Sequence, residues 1–278
     1  MFGRRKNNMR IVIKVGTSTL AHAGGRLNIR KTEQLCKVIS DMKNEGHDII
    51  LVSSGAIGMG CGKLGLKKRP ADMETKQAAA AVGQCDLMYT YDRLFSQYNH
   101  TVAQILITAS DINHEDRHKN FTGTLNRLLE LDVIPIINEN DTIATDEIGI
   151  GDNDTLAAIV ATSAKADLLI LLSDIDGLYT SDPHKDPEAR LIAEVYDLDE
   201  HIMALGGGSG SELGTGGMKT KLSAAKICLN AGCDMIITNG ADADNLYSIT
   251  DGLSVGTRFF ARRKNQNPNK KKTILNVI

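Results

Sequence analysis

Lys14 stands inside the run IVIKVG, among aliphatic residues and just ahead of a glycine. A lysine in such company either snorkels at a sheet edge or points toward the strand's carboxyl end, and it is rarely buried without a partner. Gly16, Thr17 and Ser18 follow it and are small or polar, which favours an ammonium group held near a ligand. Far downstream the chain reads GTGGMKTKLSAA. Gly214, Gly216 and Gly217 allow close backbone approach, so several N–H groups can converge on one anion. A helix starting at Met218 would add unpaired amides and a favourable dipole, and Lys219 and Lys221 add positive charge. The same segment would also suit a glycine-rich surface loop ahead of a helix. Lys14 tips the reading toward an anion site.

A further set is acidic and amide-bearing. Asn138-Glu139-Asn140-Asp141 closes one apolar run, and Gly151-Asp152-Asn153-Asp154 precedes a helical one. Asp152 or Asn153 suits a helix N-cap, but one cap does not need three such residues, so the excess asks for another role. Two familiar phosphate motifs fail. Ile57 stands where a Walker A loop ending at Gly62-Lys63 needs its first glycine, and Met218 replaces the glycine required before Lys219. A dinucleotide fingerprint can be forced onto the glycines between Gly206 and Gly210, but no strand precedes them.

These residues need elements to position them. Short β-branched runs at 11–15, 48–52, 101–107, 133–138, 167–172 and 234–238 read as strands. Between them lie helical patterns over 30–44, 73–98, a segment ending near 131, 155–163 and a run from 218 onward; the glycine-rich stretch after Gly55 receives no element. Such alternation predicts an α/β fold: an open, mainly parallel sheet with helices on both faces, an αβα sandwich. Ligands of such sheets sit beyond the carboxyl ends of the strands. There the sequence places Gly16, Ser53-Ser54-Gly55, Asn138 to Asp141, Ser173-Asp174 and Asn239-Gly240, all small, polar or acidic.

The composition sets outer limits. With 24% charged and 42% hydrophobic residues and a net charge of −2, the chain has the profile of a soluble globular protein without a general affinity for nucleic acid or membranes. Arg4, Arg5 and Lys6, and Lys270 to Lys272, read as solvated tails. Its 5 cysteines form no CxxC pair and suit reduced thiols, with Cys228 and Cys233 as small buried hydrophobes. No apolar stretch approaches about 18 residues, so a cytoplasmic protein is expected.

KVGTSTL (14–20), LVSSGAIGMG (51–60), PIINENDTIA (135–144), GDNDTLAA (151–158), LLSDIDGLY (171–179) and GTGGMKTKLSAA (214–225) occur in this order. Together they closely resemble the glutamate 5-kinase family of the amino acid kinase superfamily, over residues 9–260. The resemblance implies ATP-dependent phosphorylation of the γ-carboxylate of L-glutamate to L-glutamyl 5-phosphate, the first step of proline synthesis. It implies one kinase domain over 9–278, with a glutamate-binding lobe at about 9–164, a nucleotide-binding lobe at about 165–260 and a tail after 261. Residues 1–8 are expected to be a disordered extension, and the chain looks like a short form without the RNA-modification-type (PUA) domain of many members.

By the same resemblance, Lys14 and Lys221 hold the transferring phosphoryl group and Asp154 orients both, with amides near Gly16 and Gly55 assisting. Ser54, Asp141 and Asn153 occupy substrate positions, with Asn138 as an addition, and Asp141 would meet the α-ammonium group. Lys14, Gly16, Ser173, Asp174, Thr215, Gly216, Gly217, Met218, Lys219, Thr220 and Lys221 fall where the family binds ATP. Mg²⁺ is implied as an ion carried by the nucleotide, with no dedicated protein cage. A homo-oligomer and feedback inhibition by L-proline are also implied. A carboxylate acceptor is already ionised at neutral pH, so no general base is required. Sister kinases acting on carbamate, acetylglutamate, aspartate or UMP would share the fold and the lysines, and a non-catalytic amino-acid or nucleotide sensor is a rival of another class.

Overall fold

The computed structural model describes residues 8–22, 26–66, 68, 70–144, 152–207 and 217–262. Strand β1 (Arg10–Val15) leads through a single turn, α1 (Thr17–Leu20), to helix α2 (Ile29–Asn44) and strand β2 (Asp48–Ser53). Helices α3 (Ala56–Lys63) and α4 (Met73–Ser96) follow, then β3 (Val102–Ile107), α5 (Ala109–Asn113), α6 (Glu115–Glu130) and β4 (Ile134–Glu139). The second half holds α7 (Asn153–Ser163), β5 (Leu168–Ser173), β6 (Glu194–Val195), α8 (Glu200–Ala204), α9 (Met218–Asn230), β7 (Asp234–Asn239), α10 (Asn245–Thr250) and β8 (Thr257–Phe259).

The strands form one 8-stranded sheet in the order β3-β4-β2-β1-β5-β7-β8-β6. Every pairing is parallel except β7 with β8, so the expected open, mainly parallel sheet is what the chain builds. β1 lies at its centre, flanked by β2 and β5. The early strands continue to one side and the late ones to the other, which makes the β1/β5 boundary a topological switch point, where such sheets open a crevice.

Strand alternation divides the core in two. Ile11, Ile13 and Val15 pack with the buried faces of α2 and α4, among them Leu35, Ile39, Leu87 and Tyr91. Val12 packs with Ile50, Val52 and Leu169 against α6, α7 and α9, through Leu125, Leu156 and Leu222. Helices therefore cover both faces. Because side chains alternate along a strand, Lys14 shares the face of Val12 and points toward α7 and α9. The edge alternative for Lys14 is excluded by the central position of β1.

Several boundaries move by a residue or two, as helix ends do. The substantive difference is α3. Its sequence AIGMGCGK has poor helix propensity, yet it is helical because α4 packs against it at unusually close range. A Cβ on Gly60 would come within 1.8 Å of the Ala79 carbonyl oxygen, and one on Gly83 within 1.8 Å of the Ala56 carbonyl oxygen. Tertiary contact overrides local preference there. The short elements β6 and β8, α1, α5, α8 and α10 also had no signal long enough to read.

Candidate active site

The centre of the site is a buried carboxylate between two ammonium groups. Asp154 lies in the first turn of α7 and its side chain is 1% exposed. Its Oδ1 is 2.8 Å from Lys14 Nζ and its Oδ2 is 3.1 Å from Lys221 Nζ, so one anion joins β1, α7 and α9. Burial is the largest influence on this carboxyl and works to raise its pKa. The charges of Lys14 and then Lys221, with their hydrogen bonds, outweigh it, and the pKa falls below the ordinary 3.8. Asp154 is ionised at neutral pH. Two ammonium groups converge on one carboxylate in a poorly solvated crevice, a local field that favours anions.

α9 adds to that field. Gly217 is its N-cap and supplies no side-chain cap; Thr220 N donates to the Gly217 carbonyl oxygen at 3.2 Å, and the start of this 13-residue helix turns its positive dipole end toward the lysines. Thr220 Oγ1 lies 3.0 Å from Asp154 Oδ2 and 2.8 Å from the Gly217 carbonyl oxygen, and its single proton can serve only one of them at a time. Met218 is half-buried and Lys219 is exposed beside them. Thr215 and Gly216 lie outside the described residues, as does Gly214.

The α7 entrance shows how the acidic excess is used. Asp152 is the N-cap: its Oδ1 accepts from the backbone N–H groups of Asp154 and Thr155, each at 2.8 Å. That leaves Asn153 and Asp154 for the crevice. Asn153 Nδ2 donates to Ser54 Oγ at 2.5 Å, tying α7 to the end of β2. Ser54 N donates to the Val15 carbonyl oxygen at 3.1 Å, so the chain beyond β2 runs beside Gly16. Gly55 then turns with φ +100° into α3, a conformation that costs little only for glycine. Beneath Ser54, Ser53 Oγ and the fully buried Tyr91 hydroxyl lie 2.9 Å apart and lock β2 to α4.

Asn138, on β4, faces α4. Its Oδ1 accepts from Glu139 N at 2.9 Å and its Nδ2 donates to Gln84 Oε1 at 3.0 Å. A small cleft opens beside it, lined by Ala56, Ala80, Gln84, Glu139, Asn140 and Asp141. On the other side of β1, register places Ser173 one residue past the Leu172 partner of Val15. Ser173 Oγ donates to Asp174 Oδ1 at 3.1 Å, and Gly240 N donates to the Ser173 carbonyl oxygen at 2.7 Å. Ser173 is buried while Asp174 is exposed at the sheet's carboxyl edge.

The structure thus gathers Lys14, Asp154, Lys221 and Thr220 into one cluster, links Ser54 to Asn153, and sets Asp141 with Asn138's partner Gln84 in the neighbouring cleft. Gln84 was not anticipated. It lies in AAAAVGQC, where nothing but its helical position is legible, and only packing against β4 gives it a role. Among the described residues, no three His, Cys, Asp or Glu side chains converge as a metal site. Nor does any helix among the described residues have the length and apolar character to cross a membrane.

A parallel sheet with two lysines converging beside its switch point has a form suited to holding a phosphoryl group. The amino acid kinase family model matches residues 9–239. The glutamate 5-kinase of Clostridium perfringens (strain 13 / Type A) is 49% identical over 262 residues, covering 93% of this chain and 97% of that one. That of Clostridium tetani (strain Massachusetts / E88) is 51% identical, over 92% of this chain and 96% of that one. For the glutamate 5-kinase of Carboxydothermus hydrogenoformans (strain ATCC BAA-161 / DSM 6008 / Z-2901) the identity is 48%, over 94% of this chain and 70% of that one. Carbamate kinase from Giardia lamblia bound to AMP-PNP shares the fold with a TM-score of 0.64 at 18% identity, over 92% of this chain and 99% of that one. UMP kinase from Bacillus anthracis does so with a TM-score of 0.63 at 15% identity, over 92% of this chain and 97% of that one. The chain belongs to the amino acid kinase family and, within it, to the glutamate 5-kinases.

Proposed function

We propose that the crevice transfers the terminal phosphoryl group of ATP to the side-chain carboxylate of L-glutamate, giving L-glutamyl 5-phosphate at the start of proline synthesis. The observation that carries the reading is Asp154 bridging Lys14 and Lys221. Both reactants are anions, so the protein's task is to neutralise charge and hold them in line rather than to move a proton. Lys14 approaches from the sheet and Lys221 from α9, and the transferring oxygens would lie between them, with Asp154 fixing both ammonium groups. The acceptor carboxylate attacks phosphorus directly, the bond to ADP breaks, and no general base takes part.

Ser54, Asn153, Asn138 and Asp141 would hold glutamate on the β2–β4 side, with the Asp141 carboxylate meeting the α-ammonium group. Gly16, Ser173, Asp174 and the start of α9 from Gly217 to Lys221 would hold ATP on the β5–β7 side, which divides the molecule into a glutamate lobe and a nucleotide lobe. Mg²⁺ would arrive on the phosphates of ATP and keep several of its water ligands. A cytoplasmic homo-oligomer inhibited by L-proline completes the reading.

The test is acyl-phosphate trapping with hydroxylamine, using ATP and a panel of L-glutamate, N-acetylglutamate, aspartate and carbamate, with and without proline. Glutamate should give the highest kcat/KM, and proline should lower its turnover. Preference for any other acceptor would overturn the assignment.

A further inference from the structure

We propose that Gln84 is a binding residue for the acceptor amino acid, its Nε2 amide donating to the substrate's α-carboxylate. The inference deepens the glutamate reading and rests on it. A backbone N–H can only donate, so the bond from Glu139 N fixes the oxygen end of the Asn138 amide. The nitrogen end of Asn138 then faces Gln84 and takes its Oε1, at 3.0 Å. Gln84 is left presenting Nε2 away from Asn138. The residue is 7% exposed, and Nε2 is buried with no hydrogen-bond partner. Unsatisfied buried donors are rare in native folds, and one at a site points to a missing partner.

Gln84 lines the cleft that also holds Asp141. Position identifies the end of the substrate it meets. The reacting carboxylate must lie by Lys14 and Lys221, which belong to the α7 and α9 face of the sheet. Gln84 and Asn138 belong to the opposite, α4 face, so they address the end of the substrate remote from the reaction. There glutamate carries an ammonium group, suited to Asp141, and an α-carboxylate, which needs a donor.

Glutamate and its α-amide, isoglutamine, carry the same reacting carboxylate and differ only at that remote end. Acyl-phosphate trapping with both acceptors tests the proposal directly. Wild-type protein should prefer glutamate by about tenfold or more in kcat/KM, the loss expected when an acceptor oxygen gives up its charge to a fixed donor. Gln84→Glu keeps an oxygen toward Asn138 but places a carboxylate against the substrate's own. It should lower kcat/KM for glutamate far more than for isoglutamine, shrinking the preference about tenfold while leaving the KM for ATP within about threefold. Gln84→Leu, with no donor, should shrink it as well.

Equal use of both acceptors by wild-type protein would overturn the proposal without reference to any variant. So would a preference unchanged in folded Gln84→Glu, even if both activities fell, since that would mark Gln84 as support for Asn138 alone. Failure of wild-type protein to phosphorylate glutamate at all would instead overturn the parent reading, and this one with it.

Discussion

Asp154 is the residue on which the site's electrostatics turn. Removing one member of a buried, hydrogen-bonded charge cluster is strongly destabilising because the remaining charges stay behind uncompensated, at about 3–5 kcal/mol in comparable cases. Asp154→Asn keeps the shape and deletes the charge, so it should lower both the melting temperature and kcat. The lowered pKa of Asp154 fixes the pH window. A carboxyl whose pKa drops on folding contributes stability that is fully present above its unfolded pKa and is lost as pH falls through the folded one. The gap in Tm between wild type and Asp154→Asn should therefore stay constant from neutral pH down to about 4 and close only below that. A gap already closing near pH 6 would mean that the carboxyl is not held ionised by its lysines.

At the scale of elements, the site depends on two junctions. α7 must start where Asp152 caps it, so that Asn153 reaches Ser54 and Asp154 reaches the lysines. α4 must lie close enough to α3 to bring Ala56, Ala80 and Gln84 around one cleft, and Gly60 and Gly83 make that approach sterically feasible. Gly83→Ala should cost about 1–3 kcal/mol through forced separation of the helices. The same separation should raise the KM for glutamate more than that for ATP. A variant melting within about one degree of wild type would show that the helices accommodate a methyl group, and the close-contact account would fail.

These junctions explain what the sequence could and could not disclose. Lys14 was legible because an ammonium group in an aliphatic strand is chemically out of place, and strand period then dictates the face it shares with Val12. The acidic excess before α7 was legible because one cap uses only one residue. α3 was not, since its glycines argue locally against a helix and only α4 supplies the compensation. Gln84 was silent for a similar reason: its partner Asn138 is distant in sequence, and an amide in a helix has no spacing to betray it.

Across the whole molecule, the chain's order and the sheet's order diverge at β1. The first strand is central, its successors extend to one side, and the chain crosses back through α7 to build the other. Asp154 sits on that crossing element, so the carboxylate that joins the two lysines is carried by the segment that joins the two halves of the sheet. On the proposed reading, acceptor and nucleotide would enter from different halves and meet at the switch point.

The account's central claim is that Lys14 and Lys221 share one transferring phosphoryl group. It is tested most directly by kcat for ATP-dependent acyl-phosphate formation from glutamate in Lys14→Ala and Lys221→Ala, each checked for folding by its melting curve. Loss of one such electrostatic contact in the transition state should lower kcat by about a hundredfold or more in either variant. A folded variant of either lysine that kept kcat within about threefold of wild type would remove that residue from the reaction and contradict the claim.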